Sequence, residues 1–358
     1  MRILIVKSSA LGDIVQAFPV LDFIKMKFPN AAIDWVVEKP FSKLVEAHPF
    51  IDRVMCIDTK AWRKGLFSSK TRREVADFFR ALRKAPYDVI FDLQGNSKSG
   101  LITALAKSSV KVGYSKECVS EWPNLLSTNQ KVSIPKGKSI RHNYLHVVQS
   151  YFKDNQKFSN APMILKLSEE EEQQFKTILV PLELKEKPLV MVCHGSNWKN
   201  KQLPMESLLE FLKLLQSGLN CFFVFGWGTD AEKVEALLLQ SHFRDSSLLE
   251  KVSLPLLQRL MSKVKLVVAM DSLPLHLAAT TSTATFSIFG ASSAFRYAPE
   301  GAQHVAVQGL CPYGRIFEKR CPILRSCSTG ACMSAFSGKE LFKRYIAGHT
   351  QMHRERNL

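Results

Sequence analysis

Residues 1–18 read MRILIVKSSALGDIVQAF, and the fold follows from how this stretch is parsed. Residues 2–7 are a short β-branched apolar run and residues 8–12 a turn of small side chains. From Asp13 onward apolar residues recur at helical spacing, at Ile14, Ala17, Phe18 and Leu21. A buried strand thus passes into a helix and delivers a carboxylate at the strand's end. Such a carboxylate ordinarily satisfies free amides and the helix dipole; the rest of the chain decides whether Asp13 does more.

The alternation repeats. Strands are expected at 32–38 and 53–58 with a helix at 41–47 between them, then a charged amphipathic helix at 71–84. A buried strand at 88–94 (DVIFDLQ) leads to a helix from Lys98 and a strand at 110–114. Strand and helix at this pitch imply a parallel sheet covered on both faces. Between 117 and 161 the pattern loosens around Pro123, Pro135 and Gly137, with one helix expected at 140–152. The acidic run 168–174, with Pro181 and Pro188 after it, reads as a linker helix and hinge.

A second series starts at Leu189. Strands are expected at 189–195, 221–226, 266–271 and 284–290, and helices at 205–215, 230–240, 254–263 and 273–279, with a terminal helix at 339–347. A chain of 358 residues exceeds one core. The reading is α/β, with two Rossmann-like domains, 1–178 and 179–358, facing a central cleft and binding ligands beyond the carboxyl ends of their strands.

Charge narrows the partners. Residues 1–170 hold 27 Lys and Arg against 16 Asp and Glu, and the remainder 22 against 16. Within the first half, residues 60–84 carry nine basic side chains against Glu74 and Asp77. Such a run is either a solvated helix face or a contact for an anionic partner. No zinc-finger spacing, aromatic RNA-binding motif or clear helix-turn-helix accompanies it, so nucleic acid is not expected. No apolar run is long enough to span a membrane and the first residues lack a signal-peptide pattern, so the expected location is cytoplasmic. Cys311, Cys321, Cys327 and Cys332 are separated by nine, five and four residues. Tight Cys-x-x-Cys pairs are absent, and no metal is expected.

Four strand-to-helix junctions in the second half carry polar groups. At 194–201, Ser196, Asn197, Lys199 and Lys201 offer the hydroxyl, amide and ammonium donors that suit a diphosphate. At 225–230, FGWGTD lacks the third glycine of G-x-G-x-x-G, which argues against a dinucleotide-dependent dehydrogenase. Glu232, in the next helical turn, can bind ribose hydroxyls or complement the dipole. At 251–253, Ser253 suits a helix N-cap. At 271–274, Asp271, Ser272 and a proline open a helix that carries His276 one turn in, beside Asp271 at the strand end.

Together KSSALGDI, WRK near 62, FDLQG near 91, HGSN with Lys201-x-x-Pro204, WGTDAE and VVAMDSLPLHLAA resemble the bacterial lipopolysaccharide heptosyltransferases of glycosyltransferase family nine, enzyme I most of all. The resemblance spans nearly the whole chain, with its motifs in order. It implies a GT-B fold, an ADP-sugar donor, inversion at the anomeric carbon, and neither cofactor nor metal. It implies Asp13 as catalytic base with Lys201 as its catalytic partner across the cleft, and Ser196, Asn197 and Lys201 at the donor phosphates. It further places Glu232 at the ribose, Val252 near the adenine, Asp271 near the sugar, and Ser272 with His276 near the diphosphate. The implied acceptor is Kdo-lipid A or core oligosaccharide at the cytoplasmic face of the inner membrane, met peripherally, with Arg63, Lys64, Arg72 and Arg73 as its contacts. Leu273 stands where the family pattern carries glycine, and Ser196-Asn197 where enzyme I carries a threonine pair. The alternatives are an enzyme II-type or other member with a different donor or acceptor, and a non-catalytic anion-binding protein of the same fold.

Overall fold

The computed structural model describes residues 1–65, 67–154, 156–158 and 161–356, with side chains as far as residue 348. It divides into two compact units, Met1–Ala161 and Pro162–Leu358. The first contains β1 (Arg2–Val6), β2 (Ala32–Glu38), β3 (Arg53–Ile57), β4 (Val89–Asp92), β5 (Lys111–Tyr114) and β6 (Gln130–Val132). The second contains β7 (Leu189–Cys193), β8 (Phe222–Phe225), β9 (Ser246–Leu248), β10 (Leu266–Met270), β11 (Ala284–Phe289) and β12 (His304–Gln308).

The sheets run β3-β2-β1-β4-β5-β6 and β12-β11-β10-β7-β8-β9, and every strand pair is parallel. Counted within each unit, both follow the order 3-2-1-4-5-6 of a doubly wound nucleotide fold, so each has one central place where the winding reverses. That place is β1/β4 in the first unit and β7/β10 in the second.

The central strands carry apolar side chains toward both faces, because helices cover both faces. Ile3, Leu4, Ile5 and Val6 are fully buried, as are Val267, Val268, Ala269 and Met270. One face of the first sheet meets Phe78 and Leu82 of the helix Ser69–Leu82, Ile102 of the helix Ser97–Leu105, and Trp62. In the second unit the chain after β12 returns to the core: Cys321, Cys332, Met333, Phe336, Leu341 and Tyr345 pack with Phe211 and Phe286.

The division falls at 161/162 rather than 178/179. Gln258 grips the segment just after it, donating from Nε2 to Met163 O at 2.6 Å and accepting Leu165 N at 3.2 Å. The expected linker helix is Glu169–Glu183, continuous through Pro181. It is tied to the second unit by Arg259 on Glu172 at 2.7 Å and by a short hydrogen bond from Ser253 to Glu171. The short strands β6, β9 and β12 and the six-residue 3-10 helix Trp122–Ser127 were not expected.

Phe211 is fully buried and stacks on Phe286 at 5.1 Å, with Tyr345 edge-on to it at 6.5 Å. Phe211→Ala therefore opens a cavity at the seam between helix Met205–Leu219 and the terminal helix. The expected loss is about 3–5 kcal/mol, read as an earlier denaturant transition of the second unit.

Candidate functional site

In the second unit the polar groups converge where β7 and β10 end. Lys201 closes the single turn Lys199–Lys201 after β7, and Asp271 follows β10 directly. Its ammonium Nζ lies 2.6 Å from Asp271 Oδ2, with both side chains buried. The Ser292 hydroxyl, just after β11, donates to the same oxygen in a short hydrogen bond. His276, on the helix Leu273–Ala278, places Nε2 3.6 Å from Oδ1. Burial pushes the Asp271 carboxyl up, but the hydrogen bond from His276 and the Lys201 charge outweigh it and hold the group well below its ordinary 3.8. A buried carboxylate is thus kept ionised, and the ammonium beside it is fixed at a strand end.

Around this pair the remaining residues divide. Ser196 is buried, and its carbonyl accepts Gln202 Nε2 at 3.0 Å; Asn197 is exposed on the same loop. Ser272 starts the helix Leu273–Ala278 without capping it through its side chain. Glu232 forms a capping box with Thr229, its Oε2 accepting Gly228 N at 2.8 Å and Thr229 N at 3.2 Å. The same carboxyl group lies against Gly195: a Cβ there would come within 2.2 Å of it, so a side chain at 195 would displace the Glu232 carboxyl group. Val252 is half-buried on the loop after β9. That loop is joined to the β8 loop by Trp227, whose Nε1 donates to Leu249 O at 2.7 Å and whose ring lies beneath the Lys233 and Lys251 ammonium groups at 5.1 and 5.7 Å.

His194, buried one residue past β7, has Glu235 3.2 Å from its Nε2. Burial draws its imidazole below the ordinary value against the opposing pull of Glu235 and Glu232.

In the first unit Asp13 is the third residue of the helix Leu11–Ala17, which starts two residues before the sequence pattern suggested. It is half-buried, and among the described residues nothing hydrogen-bonds or ion-pairs with its carboxylate. The loop leading to it is held by a residue that the sequence reading did not single out. Gln94 Oε1, beyond β4, accepts Ser8 N at 3.1 Å, Ser9 N at 3.2 Å and Lys7 Nζ at 3.2 Å. Trp35 Nε1 donates to Lys7 O at 2.9 Å from the other side. Asp92, fully buried at the end of β4, accepts Gln94 N, Gly95 N and Asn124 Nδ2 at 3.0, 2.9 and 2.6 Å. Burial raises its carboxyl pKa against those donors. The sole sequence signal for Gln94 was its place in FDLQG after an apolar strand.

Arg63 and Lys64 end the helix Thr59–Lys64, and Arg72 and Arg73 lie on Ser69–Leu82. All four are exposed, with no ion pair among the described residues. Cys311, Cys321, Cys327 and Cys332 line one cavity of about 250 Å³ in the second unit, yet no three His, Cys, Asp or Glu side chains among the described residues converge as metal ligands.

Lys201→Met leaves Asp271 buried without its closest cation, and the expected cost is about 3–5 kcal/mol. Because folding depresses the Asp271 pKa, its contribution is fully present above the ordinary 3.8 and is lost as pH falls below that value. Thermal melts of the second-unit transition should therefore drop steeply with acid in the wild type and more gently in Asp271→Asn.

The sequence profile described as glycosyltransferase family 9 (heptosyltransferase) matches residues 75–324. Lipopolysaccharide heptosyltransferase 1 of Escherichia coli K12 is 28% identical over 295 residues, covering 81% of this chain and 88% of the relative. The Pseudomonas aeruginosa PAO1 protein of the same name is 26% identical over 336 residues, covering 90% and 87%. Among solved structures, E. coli heptosyltransferase WaaC with ADP matches with a TM-score of 0.78 at 23% identity, over 97% of this chain and all of that one. The fold is of the GT-B class expected from the sequence.

Proposed function

The chain belongs to glycosyltransferase family 9, the heptosyltransferases, and from that premise we propose that it moves heptose from ADP-heptose onto the Kdo-lipid A inner core of lipopolysaccharide, with inversion and without a metal. The observation that carries the reading is the buried Lys201–Asp271 pair at the winding reversal of the second sheet. A cation fixed there suits the diphosphate of a nucleotide sugar. Supporting it are the names of the relatives, which are lipopolysaccharide heptosyltransferases, and of a fold neighbour solved with ADP-2-deoxy-2-fluoro heptose.

In this reading Asp13 takes the proton of the acceptor hydroxyl as that oxygen attacks the anomeric carbon. The bond from that carbon to the diphosphate oxygen breaks on the opposite face, and ADP leaves. Lys201, which spends one of its three N–H groups on Asp271, gives the others to the departing phosphate charge. Ser196, Asn197, Ser272 and His276 add donors. Glu232 keeps one carboxylate oxygen for the ribose while the other caps its helix, and Val252 faces the adenine beside Trp227. Asp271 holds Lys201 and meets the sugar. Arg63, Lys64, Arg72 and Arg73, without an ion pair among the described residues, take the acidic acceptor, which the protein reaches as a peripheral protein on the cytoplasmic face of the inner membrane.

The half-buried carboxylate of Asp13 needs no rearrangement to accept a proton. Asp13→Asn should lower turnover by about a hundredfold or more with ADP affinity unchanged by calorimetry. A transfer assay pairing ADP-heptose with Kdo-lipid A, and with an acceptor already carrying one heptose, tests the whole reading; no product from either would overturn it.

A further inference from the structure

Three helical segments cover one face of the first sheet: Thr59–Lys64, Ser69–Leu82 and Ser97–Leu105, whose Trp62, Phe78, Leu82 and Ile102 share one core. Their outward side does not look like an ordinary solvated surface. In the turn between the first two, Phe67 is 96% exposed. On the third, Leu101 (57% exposed) and Leu105 stand one turn apart and point out. Packed on this helix is the turn Trp122–Ser127: a Cβ on Gly100 would lie 3.0 Å from Ser127 Oγ, and Ser97 Oγ donates to Glu121 at 2.6 Å. That segment adds Trp122 at 70% and Leu126 at 82% exposure.

The same layer carries exposed Lys60, Lys64, Lys70 and Arg73, none of which is ion-paired among the described residues. Its acidic groups are largely occupied: Asp77 is paired with Arg80, Glu121 with Ser97, and Glu38 with Lys98 and Thr59. Glu74 alone remains exposed without such a partner among the described residues. Aromatic and leucine side chains projecting beside unpaired cations are the composition that seats in a headgroup region, the rings and leucines among the acyl chains and the cations at the phosphates. A second copy of this chain fits poorly, since it would set the same unpaired cations against each other on a molecule of net charge +17.

We propose that this layer is a docking face for an anionic lipid bilayer, with Phe67, Leu101, Leu105, Trp122 and Leu126 entering the interface and Lys60, Lys70 and their neighbours meeting the headgroups. The proposal rests on the reading of a lipid-borne acceptor and gives that contact its surface: the sheet face that carries the acceptor-binding arginines also carries the anchors.

The test is cosedimentation of the full chain with vesicles of phosphatidylcholine alone or mixed with phosphatidylglycerol. Binding is expected to the anionic vesicles and to weaken with salt. Trp122→Glu with Leu126→Glu should lower the partition coefficient by about tenfold, with thermal melting unchanged. Equal binding to neutral and anionic vesicles, or a partition coefficient that the double variant leaves unmoved, overturns the proposal. Should the double variant unfold, Trp122→Phe decides: quenching of tryptophan emission by brominated lipid should fall in that variant, and undiminished quenching overturns the proposal. Vesicle binding without sugar transfer would remove the catalytic reading and keep the docking face. Transfer to a delipidated core acceptor by a chain that ignores vesicles would do the reverse.

Discussion

A parallel sheet that winds in opposite directions from its centre leaves two adjacent strand ends that no crossover helix can cover. Both units of this protein meet that constraint, and each bridges the opening with one side chain reaching from strand end to strand end. In the second unit the bridge is ionic, Lys201 to Asp271; in the first it is a neutral amide, Gln94, reaching the loop after β1. What each unit can do chemically follows from that difference.

A buried ion pair is a costly way to close a fold, because desolvating both charges consumes much of what their attraction returns. An apolar pair of equal volume would hold β7 and β10 together at least as well. What the ionic bridge provides instead is a cation with unused donors held where a diphosphate can sit, and a carboxylate that cannot take its proton at neutral pH. The amide bridge has the opposite merit. Gln94 fixes the backbone of Ser8 and Ser9 and takes the Lys7 ammonium on the same oxygen, and among the described residues nothing hydrogen-bonds or ion-pairs with the Asp13 carboxylate. The Asp13 side chain is thus positioned by the backbone that carries it.

Most of this was legible in the residues. The central strands declared themselves as unbroken β-branched runs because they are buried on both faces. Lys201, Asp271 and His276 declared themselves by falling where such runs end. Pair order was not legible: β6 and β9 have three residues each, too few to show a period, and β12 is half-exposed and alternates only weakly. The domain boundary was misread for a related reason. An acidic helix with an internal proline looks like a linker, and its attachment through Arg259 and Ser253, like that of the preceding segment through Gln258, depends on residues about ninety positions away. Gln94 escaped because a glutamine after a strand carries no charge pattern to mark it; its role exists only once β1 and β4 are neighbours.

Glu232 shows how a local rule and a site requirement coincide on one side chain. As the last member of a capping box it is fully explained by the two amides at the start of its helix. Yet the helix it caps brings its carboxyl group onto Gly195, next to the loop that holds Ser196 and Lys201, where a Cβ would come within 2.2 Å of it. A side chain at 195 would therefore displace the Glu232 carboxyl group and with it the cap. The capping and ribose-binding readings of Glu232 are compatible, because the carboxylate has two oxygens and the cap uses only Oε2.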